Sequence, residues 1–305
     1  MTVYRFKPII VEALWGYEKW MLSSIKGRES TNLKELVEQF QGGLLGKRVW
    51  EKYGAEFPLL IKFIHTQDKL SVQVHPTSAK AAEMNRAAGK DSYRGKTEMW
   101  YITKAEENAN LLLGLSKKVS RAEFKEVMDS SQRCKGKAPV EELLTKFYPK
   151  AGESYFVQAG TVHSLGAGLE LFEIQQSSDT TFRLYDFNRI DKKSGKPRRL
   201  DVEEALQCID YSAVIKSAAT LGAVSCEYFT VTPVALSALD AEGKASSFSL
   251  NLKELDSFSV IIATEGEGLL DGERIAQGDL ILIPADIGTF SVTTNSNFKF
   301  LEIHV

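Results

Sequence analysis

The segment GESYFVQAGTVH, residues 152–163, decides the fold because the chain carries a second copy of its pattern. GDLILIPADIGT, residues 278–289, aligns with it without gaps: both begin with glycine and an acid, run through apolar residues and turn through small ones. A few residues further on, LFEIQ (171–175) matches FLEIH (300–304) in the same order. This repeat predicts two related β-barrel units, one in each half of the chain.

The two copies differ at one position that matters for chemistry. Where the first copy has His163, the second has Thr289. We therefore expect the C-terminal unit to be a related barrel that lacks the functional residues of the first.

Short strand patterns make up most of the remaining chain, with helical segments between them. This mixture predicts a mainly β protein of antiparallel barrels or jelly rolls with helical decoration. The 305 residues allow about two ordinary domains. We predict a first domain over 1–215, with a helical insertion at about 116–148, and a degenerate second barrel over 216–305.

Several segments show helical periodicity or helix-start signals. They are 33–40 (LKELVEQF), the Ala-rich stretch 78–90, 120–130 with a capping box at Ser120 and Glu123, 140–147 (VEELLTKF), and 201–209 with Asp201 as N-cap.

The stretch LSVQVHP, residues 70–76, alternates strictly and so predicts a strand with two different faces. Val72 and Val74 lie on one face, while Gln73 and His75 lie on the other. A polar face of this kind ordinarily points to water, but glutamine and histidine are also metal ligands.

The near-continuous apolar run FPLLIKFI (57–64) precedes this stretch and predicts a strand buried on both faces. Because only TQDK separates it from LSVQVHP, the pattern predicts a β-hairpin.

Two further positions complete a candidate site. His163 follows a buried strand in a turn of small residues, and Glu98 lies on the strand face opposite Met99. If that strand extends backward, Lys96 joins Glu98. Three adjacent barrel strands would then direct the set of side chains toward one point: Gln73, His75, Glu98 and His163.

Two imidazoles, a carboxylate and an amide oxygen form a mixed nitrogen and oxygen ligand set. Zinc accepts such ligands where one coordination position stays open for water or substrate. Two histidines and a carboxylate also suit non-haem iron(II), so the residues alone leave the metal open.

Charge and cysteine content exclude other classes of protein. The formal net charge is −2, and no basic face or nucleic-acid-binding spacing is present. The one basic run, KPRR at 196–199 beside Lys192 and Lys193, is interpreted as a solvated loop. We expect no nucleic-acid partner.

The three cysteines, Cys134, Cys208 and Cys226, are far apart and odd in number. This spacing argues against a disulfide framework and against a thiolate metal site. Neither a signal-peptide pattern nor an apolar run long enough for a membrane helix is seen. These features predict a cytoplasmic protein without membrane association.

Four motifs together carry a family resemblance. LSVQVHP, GKTEMWYI, AGTVHSLG and EIQQSSDTTFRLYDF, in this order, closely resemble the type I mannose-6-phosphate isomerases in their shorter bacterial form. Those enzymes are zinc-dependent members of the cupin superfamily. The likeness extends from about Trp15 through Tyr185 and on to the C-terminal β unit.

The resemblance implies roles for individual residues. The family's metal ligands fall on Gln73, His75, Glu98 and His163, and Gln73 ranks below the other three. Its active-site lysine and arginine fall on Lys96 and on Arg183 of SSDTTFR. The implied cofactor is Zn²⁺, one ion per chain. Trp15, Trp100 and Tyr185 are candidates for walls of the substrate pocket, with the hydrophobic core as the alternative.

The resemblance implies the interconversion of mannose 6-phosphate and fructose 6-phosphate through a cis-enediol, with a small sugar phosphate as the partner. Two alternatives remain open: another metal-dependent cupin enzyme such as an iron oxygenase, or a non-catalytic cupin that binds sugar phosphates. The sequence does not choose the proton-transferring base or the oligomeric state.

Overall fold

A computed structural model of the protein describes residues 2–133, 139–191, 195–239 and 246–305. Cys134 and the pair Lys192 and Lys193 lie outside these ranges. Within the described residues, no helix combines the length and apolar character needed to cross a membrane.

Strands dominate the described chain. In order they are β1 Tyr4–Arg5, β2 Ile9–Ala13, β3 Gly16–Leu22, β4 Leu59–Thr66, β5 Val72–Val74, β6 Glu98–Ala105, β7 Leu111–Leu115, β8 Leu144–Phe147, β9 Ser154–Val157, β10 His163–Leu165, β11 Leu169–Gln176, β12 Phe182–Tyr185, β13 Ala219–Thr220, β14 Val224–Ser225, β15 Thr230–Leu236, β16 Ser247–Asn251, β17 Ser259–Leu270, β18 Glu273–Ala276, β19 Leu280–Ile283, β20 Thr289–Thr293 and β21 Phe298–His304.

The helices are α1 Leu33–Phe40, α2 Gly42–Leu45, α3 Lys47–Tyr53, α4 Ser78–Ala88, α5 Arg121–Arg133, α6 Val202–Cys208 and α7 Leu252–Leu255. Short 3₁₀ turns occur at Pro139–Glu142 and Ala285–Ile287. The predicted capping box is confirmed, because Ser120 N donates to Glu123 and Glu123 N donates to Ser120 Oγ.

The chain forms two compact units. The larger unit comprises Ile10–Trp20 and Ile61–Thr220, and the smaller unit comprises Met1–Ile9, Met21–Leu60 and Leu221–Val305. This grouping differs from the expected boundary between 215 and 216, because N-terminal segments join the C-terminal residues. The two-residue strand β1, for example, pairs with β19. A strand this short has no periodicity by which the sequence would reveal it.

Two sheets build the larger unit. One has seven strands in the order β13-β9-β6-β11-β4-β3-β2, and the other has five in the order β12-β5-β10-β7-β8. A shared apolar cluster contains Ile64 and Trp100 of the first sheet and Leu113 of the second, so the two sheets pack face to face.

Helices cover the outer face of the five-stranded sheet. Val72 and Val74 of β5 pack there with Phe124 and Met128 of α5 and Leu206 of α6. The apolar face of β5 therefore points outward to helices, and its polar face is left to the interior between the sheets.

The smaller unit is a second β assembly, with strand order β1-β19-β17-β21-β15-β14 and with β16, β18 and β20 attached to it through β17. Its core is a cluster rich in isoleucine and phenylalanine, including Ile261, Ile281, Phe290 and Phe300.

Two local predictions are wrong, and a third is confirmed in position only. The expected hairpin does not form, because β4 belongs to the seven-stranded sheet and β5 to the five-stranded sheet. Residues 140–147 form a 3₁₀ turn and strand β8 instead of a helix, since Leu144 and Phe147 pair with β7. Asp201 is the N-cap of α6, as predicted, although its side chain makes no capping hydrogen bond.

Candidate metal centre

The polar face of β5 points into the interior between the two sheets. His75 follows the last residue of β5 and is 1% exposed. Gln73 lies in ladder register with His163 of β10 on one side and with Arg183 of β12 on the other. Because directly opposed residues of antiparallel strands share a face, these three side chains lie on the same inner face. The polar face of β5 therefore faces the interior between the sheets.

Glu98 reaches the same point from the other sheet. It begins β6 and is fully buried. Its Oε1 lies 3.5 Å from His163 Nε2, and its Oε2 lies 3.6 Å from His75 Nε2. One ligand atom from each of the three residues lies within 4.8 Å of the others. The structure thus brings together three of the four predicted ligands as a compact group.

Backbone carbonyls fix the tautomer of both histidines. His75 Nδ1 lies 2.9 Å from the Thr180 carbonyl oxygen, and His163 Nδ1 lies 2.9 Å from that of Thr161. A carbonyl oxygen only accepts, so each Nδ1 carries the proton and each Nε2 keeps its lone pair. Each Nε2 can therefore act as a hydrogen-bond acceptor or as a metal ligand.

Burial keeps these imidazoles neutral. It lowers the pKa of His163 to about 4, and with the charge of Lys96 it holds the pKa of His75 well below its usual range. Glu98 shifts the opposite way: burial, followed by repulsion from Glu173, raises its pKa to about 7. The group is thus poised to lose one proton near neutral pH.

The arrangement of acceptors fits a metal ion. Within the described residues, Glu98 Oε1 is buried without a hydrogen-bond partner. It faces the lone pair of His163 Nε2, so two acceptors approach each other with no donor between them. A buried acceptor pair is costly unless a cation joins it, and two imidazoles with one carboxylate are ligands that zinc binds.

Gln73 lies beside this group. Its Nε2 is 3.3 Å from His163 Nε2, and its Oε1 accepts a hydrogen bond from Ser71 Oγ. Rotating the amide by 180° exchanges its oxygen and nitrogen, so the same side chain can present an oxygen to the group.

Lys96 contacts several members of the group. Its Nζ donates to Glu98 Oε2, lies 3.2 Å from His75 Nε2 and lies 3.7 Å from Glu173. Lys96 thus joins Glu98 at the same group, as the backward extension of the strand predicted. The strand β6 itself begins only at Glu98.

A row of buried charges extends from the group across the seven-stranded sheet, and the sequence analysis missed it. Lys62 of β4 lies 3.2 Å from Glu173 of β11 and 3.6 Å from Glu18 of β3. Burial opposes a charged Lys62, but Glu18 and Glu173 outweigh it and raise the pKa of the ammonium. One feature of the sequence could have indicated this row: Lys62 is a lysine inside the otherwise apolar run FPLLIKFI.

Glu173 is the ionised partner of Glu98. Burial acts to raise its pKa, but Lys96 and Lys62, with a hydrogen bond from Trp100 Nε1, lower it to about 2. Two carboxylates near one another rarely both ionise, and here the cations favour ionisation of Glu173.

The predicted substrate-pocket residues and the predicted active-site arginine lie at different places around the larger unit. Trp100 contacts His163 edge to face, with ring centroids 5.5 Å apart, and Trp15 belongs to the same apolar cluster. Tyr185 packs in the cluster on the outer face of the five-stranded sheet. Arg183 is half-buried on the inner face and donates from Nη1 to the Arg199 carbonyl. Their roles toward a substrate stay predictions.

The sequence is similar to those of known mannose-6-phosphate isomerases. The family described as phosphomannose isomerase type I, catalytic domain, matches residues 13–109. A mannose-6-phosphate isomerase from Streptococcus mutans is 34% identical over 237 residues, covering 76% of this chain and 69% of the relative. The Bacillus subtilis mannose-6-phosphate isomerase ManA is 29% identical over 325 residues, covering 94% of each.

Solved structures agree in fold. The crystal structure of the mannose 6-phosphate isomerase from Bacillus subtilis superposes with a TM-score of 0.78 at 24% identity and covers 100% of both chains. A mannose 6-phosphate isomerase bound with zinc and yttrium has a TM-score of 0.72 at 15% identity, covering 100% of this chain and 99% of that one. These likenesses confirm the predicted mainly β architecture.

Proposed function

The chain belongs to the type I phosphomannose isomerase family, and on that premise we propose that it interconverts mannose 6-phosphate and fructose 6-phosphate. The observation that carries the proposal is the convergence of two imidazole lone pairs and the unpartnered Glu98 Oε1 at one buried point. Such a set suits a metal-assisted proton transfer next to a sugar carbonyl.

We assign the metal-binding role to His75, Glu98 and His163, with Gln73 as an additional ligand candidate. Zinc held there, one ion per chain, would polarise a substrate oxygen and stabilise the negative charge that develops on it. This assignment is supported by the fixed tautomers, which leave Nε2 of both histidines available.

The proton transfer itself falls to the chain's own side chains. In the aldose-to-ketose direction, the C2–H bond breaks, the proton passes to a base, and the electron pair forms the C1–C2 double bond while the C1 carbonyl oxygen takes up a proton. Return of a proton to C1 and loss of the proton from the C2 hydroxyl, which becomes the carbonyl, complete the reaction. Lys96 Nζ lies 3.7 Å from Glu173, so this pair can hold and return a proton within the buried site.

Arg183 is proposed to bind the substrate from the neighbouring strand. It shares the inner face with Gln73 and His163 through the ladder register. A planar guanidinium suits the oxygens of an enediolate or a phosphate.

Turnover of mannose 6-phosphate to fructose 6-phosphate tests the proposal. We would assay purified protein as isolated, after chelation, and after zinc is restored. Activity that disappears with the metal and returns with it is expected. Absence of turnover under every metal condition, together with tight binding of the sugar phosphate, would contradict the isomerase and favour a binding protein.

A further inference from the structure

The basic run KPRR at 196–199 contains two arginines in opposite environments. The side chain of Arg199 is 77% exposed and pairs with Asp201 and Glu204, as expected of a solvated loop. The side chain of Arg198 is only 19% exposed. The interpretation as a solvated loop therefore holds for Arg199 and fails for Arg198.

Arg198 is held by a buried carboxylate. Its Nε donates to Asp186 Oδ2 at 2.7 Å and its Nη2 donates to Oδ1, which is a two-pronged pair. Asp186 is 4% exposed and also accepts from Arg189 Nη2. Burial acts to raise the pKa of Asp186, but the hydrogen bonds from Arg198 and Arg189 outweigh it and lower the pKa. Asp186 thus fixes two guanidinium groups in place.

This group lies beside Arg183. Arg183 is opposite Gln73 in the ladder, on the inner face, and the ladder register shifts after it, between Arg183 and Tyr185. The charges of Arg198, Asp186 and Arg189 all act on the Arg183 guanidinium. The guanidinium held by Asp186 is therefore close to Arg183.

Three guanidinium groups gather at this place. Arg183, Arg189 and Arg198 lie close enough to interact, Asp186 is the buried carboxylate among them, and the charge of Asp201 also acts on Arg183. Arg189 has a second partner in Asp68, which is 55% exposed. Within the described residues, Arg183 Nε is buried without a hydrogen-bond partner. Partly desolvated guanidinium groups with an unused donor call for an anion.

We propose that Arg183 and Arg198 together bind the phosphate group of the substrate, a phosphate monoester dianion, and that Asp186 is the residue that positions Arg198. This inference rests on the proposed function and adds a phosphate subsite to it. Arg183 is two strands from His163, a separation of about 10 Å between backbones. A hexose 6-phosphate, with its carbonyl at one end and its phosphate at the other, suits that separation.

The test compares two neighbouring substitutions that remove the same charge. Arg198→Gln is the test variant, and Arg199→Gln is the matched control because the Arg199 side chain is exposed and its backbone carbonyl is retained. We expect Arg198→Gln to raise the KM for mannose 6-phosphate and the inhibition constant of inorganic phosphate by about tenfold to a hundredfold, with a smaller change in kcat. Arg199→Gln should leave both within about twofold of the wild-type values.

Other outcomes are decisive as well. Equal effects of the two substitutions, or a loss confined to kcat with unchanged phosphate inhibition, would overturn the subsite. If Arg198→Gln does not fold, Arg198→Lys keeps the charge and removes the fork, and a KM rise of about tenfold is expected. An unchanged KM in that variant would count against Arg198.

Calorimetric titration of the zinc-loaded protein with inorganic phosphate separates this inference from the proposed function. If the wild type binds phosphate and Arg198→Gln does not, the subsite stands even if mannose 6-phosphate is not turned over. If the wild type turns over the substrate and Arg198→Gln binds phosphate equally well, the subsite is wrong and the isomerase stands.

Discussion

The two barrel units share a ladder pattern but place different side chains on it. In the larger unit β6 lies between β9 and β11, and Glu98 is paired with Val157. In the smaller unit β17 lies between β19 and β21, and Ser259 is paired with Ile283. The repeat aligns Val157 with Ile283, so Ser259 occupies the ladder position of Glu98.

The neighbouring carboxylate is kept in both units. Glu173 in LFEIQ aligns with Glu302 in FLEIH, and both are buried. Glu302 accepts a 2.7 Å hydrogen bond from Ser259 Oγ, whereas Glu173 lies against the ammonium of Lys62. One ladder thus supports a serine–carboxylate hydrogen bond in one unit and a carboxylate–ammonium pair in the other. The chemistry depends on a few inward positions and not on the fold.

Removing a proposed ligand should give the largest difference between the units. We expect His163→Ala to lower kcat/KM for mannose 6-phosphate by about a thousandfold or more, since a metal's stabilisation of developing charge is worth several kcal/mol. Thr289→Ala, at the matching position, should leave activity within about twofold. Steady-state assays with metal analysis of both variants measure this, and equal losses would refute the comparison.

Breaking the charged row should destabilise the larger unit more than the matching change destabilises the smaller one. Lys62→Met leaves the buried Glu173 and the partly buried Glu18 without the cation between them, at a cost of about 3–5 kcal/mol in unfolding free energy. Ser259→Ala removes one hydrogen bond to Glu302 and should cost about 1 kcal/mol. Urea denaturation of the metal-free variants compares them. If the two substitutions lower the unfolding free energy by similar amounts, Lys62 does not stabilise Glu18 and Glu173 as proposed.

The proton on Glu98 should make metal binding depend on pH. In the metal-free protein its pKa is raised to about 7, so the metal must displace a proton below that pH. Zinc affinity should fall by about tenfold per pH unit between about pH 7 and pH 5. The pKa of His163 is lowered to about 4, so that imidazole does not add to the slope in this range.

Competition with a chelating dye measures this slope, and Glu98→Gln is the control that should abolish it. The same raised pKa has a consequence for the stability of the metal-free protein. Glu98 contributes stability that is fully present below its unfolded value of about 4.5 and is lost as the pH rises through about 7. A zinc affinity that is flat from pH 5 to 7 would contradict the assignment.

The smallest effect is expected from adding a ligand to the smaller unit. Thr289→His puts an imidazole at the position that the repeat aligns with His163, but Thr289 is exposed and Ser259 supplies no carboxylate. We expect no additional bound zinc and a change in activity of less than about twofold, because zinc sites need three or four ligands. A second zinc ion per chain in this variant would show that the smaller unit is closer to a metal site than its residues suggest.

Much of the fold was predictable because its signals are local. The repeat, the capping box at Ser120 and Glu123, and the alternation of Gln73 and His75 each depend on neighbouring residues. The incorrect hairpin between β4 and β5 had a good local signal, but strand pairing is decided by which sheet each strand joins. The helix expected at 140–147 likewise yielded to pairing of β8 with β7.

The predicted ligands that share a strand or follow a motif lie together in the structure. The long-range charge pairs could not be predicted in the same way. Lys62 looks like part of an apolar strand until Glu18 and Glu173 are brought beside it from β3 and β11. Arg198 looks solvated until the buried Asp186, just after the end of β12, is brought beside it. Such pairs join residues far apart in the chain and leave no periodic pattern.

Anomalous diffraction at the zinc edge, from crystals of the protein grown with zinc, is the most direct test of the proposed metal centre. We expect one strong peak in the larger unit, bounded by Nε2 of His75, Nε2 of His163 and the Glu98 carboxylate. A peak at Ser259 and Glu302 in the smaller unit, or no peak between the two histidines, would contradict it.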